Sequence, residues 1–239
     1  EYLKLFHNID IEVFSLKQIH NNKINFDEIK HPLPLFRDYL KRGYYPFGIE
    51  NELELRLGQI IVQTLESDIL QYANLNVGTS RKLKRLLSII AESVPFKPNF
   101  TKIAELINVS RNSLDDYFHF MEQAGLISQL MSETGGLRGL WKVDKVFLDN
   151  TNIIFNLVGD NAEIGNIRET FFFNQMRVNH DVVASKRADF VIDDYIYEIG
   201  GKNKQQHQLE NEKKSFIVKD DIEFGYLNVI PLWTFGLNY

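Results

Sequence analysis

The most regular hydrophobic pattern in the chain lies between residues 76 and 143. Apolar residues recur at helical spacing in three segments, 83–90, 103–107 and 114–121. Asn99 and Ser110 stand where N-caps of the second and third helices are expected. The tight turn between these two helices is typical of a helix-turn-helix. Two short segments, 126–130 and 140–143, then alternate like strands, and Gly135–Gly136 joins them. We therefore predict a winged helix.

The segments on either side have different patterns. Residues 1–75 predict short helices, one of them following the prolines of 31–34 and ending at Gly43, and another covering about 53–73. Residues 144–239 alternate between the two periods: strands are predicted at 145–148, 182–184, 189–192, 195–199 and 228–233, and helices at 164–178 and 205–216. The expected fold is thus α+β or α/β in three modules, 1–75, 76–143 and 144–239.

Composition and charge limit the classes of function that the chain could have. The 239 residues carry a net charge of -5, so the chain as a whole does not attract nucleic acid. Residues 80–111 are an exception, with seven Lys or Arg against two Glu. This basic stretch suits phosphate contacts, although a solvated helix face is an equally good interpretation. Asp115 and Asp116 in the predicted recognition helix would repel phosphate. The candidate nucleic-acid-binding residues are Arg81, Lys82, Lys84, Arg85 and Arg111.

Several kinds of site are excluded by what the sequence lacks. It has no cysteine, which rules out disulfides and thiolate metal sites and fits a cytoplasmic location. No apolar run is long enough to cross a membrane. No glycine-rich phosphate loop is present, so we expect no ATP binding. Because the chain starts without Met or a signal peptide, we treat it as a fragment of a longer protein.

The segment 188–198 carries the most informative chemistry. Asp193–Asp194 can form a two-residue hairpin loop. The flanking residues then pair directly, and Asp189 faces Glu198 about 5 Å away on one sheet face. Two such carboxylates need a cation between them, and Mg²⁺ prefers oxygen ligands of this kind. A bound ion could activate water for attack on a phosphodiester. The alternatives are a solvated face or another register.

Acidic residues followed by lysine in this way resemble the PD-(D/E)XK nuclease pattern. Other segments, in the same order, resemble the C-terminal region of a bacterial and archaeal AAA-family ATPase; they are 35–46, 168–172, 188–190, 198–202, 220–223 and 230–236. The resemblance implies a helical lid remnant, a winged helix and a restriction-endonuclease-like domain, with ATP bound only by a core outside this chain. It also implies roles for Glu169 as the helix carboxylate, for Asp189 and Glu198 as ligands of Mg²⁺ or Mn²⁺, and for Lys202 as the catalytic lysine.

The lysine departs from the nuclease pattern. It usually follows the glutamate by two residues, whereas Lys202 follows Glu198 by four. A bend at Gly200–Gly201 would bring Lys202 back to the carboxylates; otherwise the site is inactive. If a basic side chain neutralises the carboxylates instead of a metal, Lys202 is the first candidate and Lys204 the second.

Two classes of function therefore remain open. In the first, the chain is a DNA-associated module of an ATPase, with a nuclease-like domain that cuts or once cut. In the second, it is a non-catalytic module that couples its own ATPase core to a protein partner.

Overall fold

The computed structural model describes residues 1–24, 28–92, 97–132, 142–203 and 214–238. They form a mixed α+β structure around a seven-stranded sheet in the order β2-β1-β3-β4-β5-β6-β7. The helices are α1 (Tyr2–His7), α2 (Leu16–His20), α3 (Pro32–Arg42), α4 (Leu53–Gln63), α5 (Ile69–Tyr72), α6 (Gly78–Glu92), α7 (Phe100–Ile107), α8 (Arg111–Gln123), α9 (Thr151–Val158) and α10 (Ile164–Met176). The strands are β1 (Ile127–Ser132), β2 (Val143–Leu148), β3 (Val182–Ala184), β4 (Phe190–Ile192), β5 (Tyr195–Gly200), β6 (Ser215–Lys219) and β7 (Val229–Pro231). In the described part of the chain, no helix has both the length and the apolar character to cross a membrane.

Helices α7 and α8 lie where the hydrophobic spacing predicts them. The Asn99 side chain accepts a hydrogen bond from the Lys102 amide at 3.1 Å, and Ser110 Oγ accepts one from the Ser113 amide at 3.1 Å. Each side chain thereby satisfies a backbone donor that the first turn of a helix leaves without a partner. Asn108 ends α7 with a φ of 54°, a left-handed conformation that asparagine tolerates. The two helices therefore meet in a short capped turn.

The strand pair that follows α8 belongs to the main sheet. β1 pairs antiparallel with β2 and parallel with β3, where Met131 lies opposite Val183. β2 begins at Val143, so the predicted boundary between 143 and 144 falls at the start of a strand that runs on to Leu148. The predicted loop glycines Gly135–Gly136 lie outside the described residues. Helices α7 and α8 are thus followed directly by strands of the main sheet.

Helix α10 packs against the sheet through aromatic side chains. Phe172 lies 5.1 Å from Phe190 and 5.1 Å from Tyr197 between ring centroids, and 4.9 Å from Phe235 in the 3₁₀ helix Leu232–Leu237. Phe171, on another side of α10, packs edge-on against Phe36 of α3. Since α10 is covered on opposite sides, apolar residues occur around most of its circumference. The helix therefore lies at the centre of the fold.

Two sequence predictions are corrected by the structure, and one helix is added to them. The polar helix predicted at 205–216 is wrong at its end, because Ser215 and Phe216 begin the parallel strand β6; residues 205–213 lie outside the described chain. The last predicted strand, 228–233, is shorter and gives way to the 3₁₀ helix at Leu232. Helix α9 was not predicted. Its N-cap is Asn150, whose side chain accepts a hydrogen bond from the Ile153 amide at 3.2 Å.

Candidate functional site

The β4–β5 hairpin has the register that the sequence predicts. Ile192 lies opposite Tyr195, Val191 lies opposite Ile196, and a two-residue turn joins the strands. Beyond the last of these pairs, the amide of Asp189 donates to the carbonyl of Tyr197 at 3.1 Å. Since Tyr197 is also the partner of Phe190, two residues of this strand face one residue of β5, as in a β-bulge, and the direct pairing of Asp189 with Glu198 stays a prediction.

The side chain of Asp189 is fixed in this position from two sides. Its Oδ2 accepts a hydrogen bond from the Ile199 amide at 2.8 Å. Its Oδ1 lies 3.7 Å from the ammonium of Lys145. Glu169 approaches from α10, and the charges of both Asp189 and Glu198 act on its carboxyl group. Glu169 and Asp189 therefore meet at Lys145, between α10 and the sheet, and Glu198 is close enough for its charge to act on Glu169.

Lys145, on strand β2, supplies the positive charge of this acidic cluster (Glu169, Asp189 and Glu198). Its Nζ lies 2.9 Å from Glu169 Oε2, in addition to the contact with Asp189. The side chains of Lys145, Glu169 and Asp189 are only 13%, 16% and 18% exposed. An ion pair of this length in a largely buried place is a charge-assisted hydrogen bond.

The expectation that Lys202 would neutralise the carboxylates is wrong. Lys202 is exposed in the turn after β5 and, among the described residues, makes no ion pair. Lys204, the second candidate, lies outside the described residues. Sequence reasoning missed Lys145 although a signal was present. A lysine immediately before the apolar run 146–148 of a predicted strand, in a segment otherwise fit for the core, is unusual without an acidic partner.

The electrostatics of the cluster are asymmetric. Burial disfavours the Lys145 ammonium, but the Glu169 and Asp189 carboxylates outweigh it and hold the pKa of Lys145 above its ordinary value. Burial raises the pKa of Glu169, as does repulsion from Asp189 and Glu198, and Lys145 only partly offsets these effects. One ammonium thus lies among several carboxylates, and Glu169 is the carboxyl group whose ionisation these surroundings disfavour.

Gly201 has a different role from the one predicted. A Cβ at this position would lie 3.1 Å from Nη1 of Arg168, so the absence of a side chain lets the guanidinium pack on the backbone. Arg168 Nε in turn donates to Asp220 Oδ2 at 2.9 Å. The glycine therefore accommodates a largely buried ion pair and does not carry Lys202 towards Glu198.

Within the described ranges, no group of three or more His, Asp or Glu residues has an arrangement that could hold a metal ion. The acidic cluster has Lys145 Nζ between two of its carboxylates instead. The Lys145 ammonium therefore neutralises part of the negative charge of these carboxylates, in a place that solvent reaches only partly.

The five basic residues predicted to bind nucleic acid differ in how far other residues of the chain already engage their side chains. Lys84 pairs with Glu66, and Arg111 pairs with Asp115 while its guanidinium lies 3.8 Å above the ring of Phe100. Lys82 Nζ donates to the carbonyl of Asn108 at 3.2 Å, in the turn between α7 and α8.

The remaining two, Arg81 and Arg85, are exposed on α6. Within the described chain neither makes an ion pair or a side-chain hydrogen bond. Four residues apart on a helix, they lie on the same face one turn from each other. We call Arg81 and Arg85 the arginine pair.

Comparison with known proteins identifies the middle of the chain. Residues 33–163 match a family model described as "Domain of unknown function (DUF8612)", which is more than half of the sequence. The chain belongs to this family. No curated protein and no solved structure matched the chain.

The DUF8612 segment contains the helix-turn-helix, the arginine pair and Lys145, but it ends before α10. Two polar contacts are among those that connect it to the C-terminal strands and helix. One is the ion pair from Lys145 to Glu169. The other is at Asp149, whose carboxylate pairs with Arg177 and whose carbonyl accepts from Asn174 Nδ2 at 2.9 Å. The acidic cluster therefore forms across the end of the family segment.

Proposed function

We propose that this chain is a DNA-associated accessory region of an AAA-type ATPase, and that it binds duplex DNA through the phosphate backbone. The observation that carries the proposal is the arginine pair, Arg81 and Arg85. Both guanidinium groups are exposed and keep their donors for an external anion. Arginine presents its donors in a planar fork that matches a phosphate group.

The neighbouring elements support a phosphate-contacting surface. Lys82 attaches α6 to the turn of the helix-turn-helix, so the arginine pair and α8 are held in a fixed relation. The order α6, α7, α8, β1 and β2 supports a winged helix as the finer fold. At the start of α8, Arg111 is occupied by Asp115 and Phe100, and Asp116 is exposed. Binding by backbone contacts, without reading of bases, is therefore the mode that we propose.

The order of the later elements supports a nuclease-like fold. α10 is followed by the antiparallel strands β3, β4 and β5, and β6 lies parallel to β5. The acidic residues occur on α10, before β4 and on β5, as the resemblance to PD-(D/E)XK nucleases implies. In this proposal the fold is nuclease-like, and Lys145 provides the positive charge in place of Lys202.

Cleavage dependent on Mg²⁺ or Mn²⁺ is a second proposal, favoured by the three converging acidic residues. Asp189→Ala separates the possibilities. If a metal binds, the change abolishes Mn²⁺ binding and plasmid cleavage; if Lys145 alone neutralises the cluster, it lowers stability and leaves the response to Mn²⁺ unchanged. ATP binding is assigned to an ATPase core outside this chain. The alternative of a non-catalytic module for a protein partner is supported by the net charge of -5.

A salt titration tests the DNA-binding proposal. We expect fluorescence anisotropy to report weak binding to a labelled 20-base-pair duplex. Two phosphate contacts predict a logarithmic dependence of affinity on salt with a slope of about -1.8. Affinity that does not change between about 50 and 200 mM salt would contradict a phosphate-contact mode. Absence of binding at the lowest salt would favour the protein-partner alternative.

A further inference from the structure

A cavity of about 390 Å³ lies between residues 1–13, α3, α10 and the 3₁₀ helix Leu232–Leu237. Its volume falls within the range of small-molecule sites, roughly 300–1,000 Å³. Phe171 and Gln175, one turn apart on α10, form part of its wall. Glu169 points to another side of that helix, so the cavity is separate from the acidic cluster.

Residues 1–13 form the outer wall of the cavity, and hydrogen bonds hold this segment in place near both of its ends. Near its start, Tyr2 Oη donates to Asp38 Oδ2 on α3 at 2.5 Å. Near its end, the Phe14 amide donates to the Leu237 carbonyl at 2.8 Å, and Asn238 Nδ2 donates to the Phe14 carbonyl at 2.9 Å. The wall is therefore tied to α3 and to the C-terminal 3₁₀ helix.

Aromatic and aliphatic side chains together form the inner walls. Phe36 and Tyr39 of α3 meet the Phe171 ring edge-on, with centroids 4.7 Å and 5.8 Å away, and Trp233 completes this side. Charged lining residues occur on the outer wall alone, where Glu1, Lys4, Asp10 and Glu12 are all exposed. Planar side chains of this kind favour a flat, uncharged aromatic ligand that stacks or packs edge-on.

Gln175 contributes a polar side chain to the cavity wall. Gln175 is 2% exposed, and its Nε2 donates to Tyr39 Oη at 2.9 Å and to Asn174 Oδ1 at 2.8 Å. Its Oε1 accepts no hydrogen bond from any described residue. It lies 3.8 Å from the position of a Cβ on Gly236, another lining residue. An amide oxygen in a cavity wall that has no donor within the described chain is an acceptor for an N–H or O–H group of a ligand.

The hydrogen-bond network fixes which end of the Gln175 amide is the oxygen. The Asp149 carbonyl can only accept, so the group of Asn174 that reaches it is Nδ2. The remaining Asn174 atom, Oδ1, can only accept and requires a donor from Gln175. Nε2 of Gln175 is thereby committed, and Oε1 is the atom left for a ligand.

We infer that the cavity binds a small, neutral, planar aromatic molecule that donates one hydrogen bond to Gln175 Oε1. The aromatic walls supply apolar contact area, and the amide oxygen selects for an N–H or O–H on the ring edge. The site is independent of the arginine pair and of the acidic cluster, since it shares no residue with either.

Indole and indene test this inference because they have nearly the same shape and differ in one N–H donor. We expect ¹H–¹⁵N spectra of the whole chain to show shifts at the Gln175 side-chain amide and at the Phe171 and Gly236 amides when indole is added. One hydrogen bond of ordinary strength predicts roughly fivefold tighter binding of indole than of indene. In Gln175→Met the two compounds should bind within about twofold of each other.

Two further variants control for folding and for non-specific binding. Ile11→Trp places a large ring in the cavity wall without touching Gln175, and it should abolish indole binding. Leu5→Trp adds the same ring to an exposed position of the same segment outside the cavity, and it should leave binding unchanged. The inference is overturned if wild type binds neither compound, if it binds both equally, or if Ile11→Trp still binds indole.

Discussion

Replacing Lys145 with methionine removes the ammonium from the acidic cluster and keeps the length of the side chain. At an effective dielectric constant of 20, the contacts of 2.9 Å to Glu169 and 3.7 Å to Asp189 are worth about 6 and 4 kcal/mol, and desolvation offsets most of this. Removing one member of a buried ion pair costs roughly 3–5 kcal/mol. Because these side chains retain some exposure, we expect a loss of about 3 kcal/mol, or a Tm lower by about 6–12 °C.

The pH dependence of the stability of Lys145→Met shows whether the lost charge or the lost packing destabilises this variant. In Lys145→Met the folded-state pKa of Glu169 rises further above its unfolded value. Stability from this group is then fully present below the unfolded pKa and is lost as pH rises through the folded pKa. The difference from wild type should therefore be smaller at pH 5 than at pH 7 when unfolding by urea is compared.

Two variants complete this experiment. Lys145→Met with Glu169→Gln removes a repelling carboxylate and should recover at least half of the lost stability. Lys214→Met breaks the exposed ion pair with Asp194 and should shift the urea midpoint far less than Lys145→Met does. The electrostatic account is refuted if Lys145→Met is as stable as wild type at pH 7, or if its deficit is the same at both pH values.

The remaining predictions concern other parts of the chain. Burial, with a further contribution from His180, lowers the pKa of His20 to about 4. Only the unfolded state is protonated at this residue between pH 4 and 6.5, so stability should rise with pH across this range. Urea unfolding of His20→Gln should show a flatter pH profile. Gly201→Ala should lower the free energy of unfolding by about 1 kcal/mol, because its methyl group displaces the Arg168 guanidinium; an unchanged Tm would contradict this. Calorimetric titration with a nonhydrolysable ATP analogue should give no heat of binding, and micromolar affinity would contradict the assignment of ATP to an absent core.

Local signals in the sequence predicted the elements that depend on neighbouring residues. The helices around the 108–110 turn follow from their caps and apolar faces. The β4–β5 register follows from a two-residue loop, and Asp193 adopts a φ of 53° in it. That conformation is accessible to aspartate, although glycine is the more common choice. The positions of Asp189 and Glu198 depended on this hairpin alone.

The sequence did not predict the features that depend on pairing between segments far apart in the chain. Lys145 reaches Glu169 and Asp189 because β1 joins β2 on one side and β3 on the other, and nothing near Lys145 in the sequence encodes that order. β6 was mistaken for the end of a helix because a strand of five residues gives too few alternations to define its period. Its burial between β5 and β7 decides its conformation.

Charge reversal on α6 tests whether the arginine pair binds duplex DNA through phosphates. Arg81→Glu with Arg85→Glu is compared with Lys17→Glu with Lys23→Glu, which makes the same change in net charge at two exposed lysines outside α6. Anisotropy of a labelled duplex at low salt should show at least tenfold weaker binding for the α6 variant, and near wild-type binding for the control. Equal losses in both variants, or none in the α6 variant, would contradict the account.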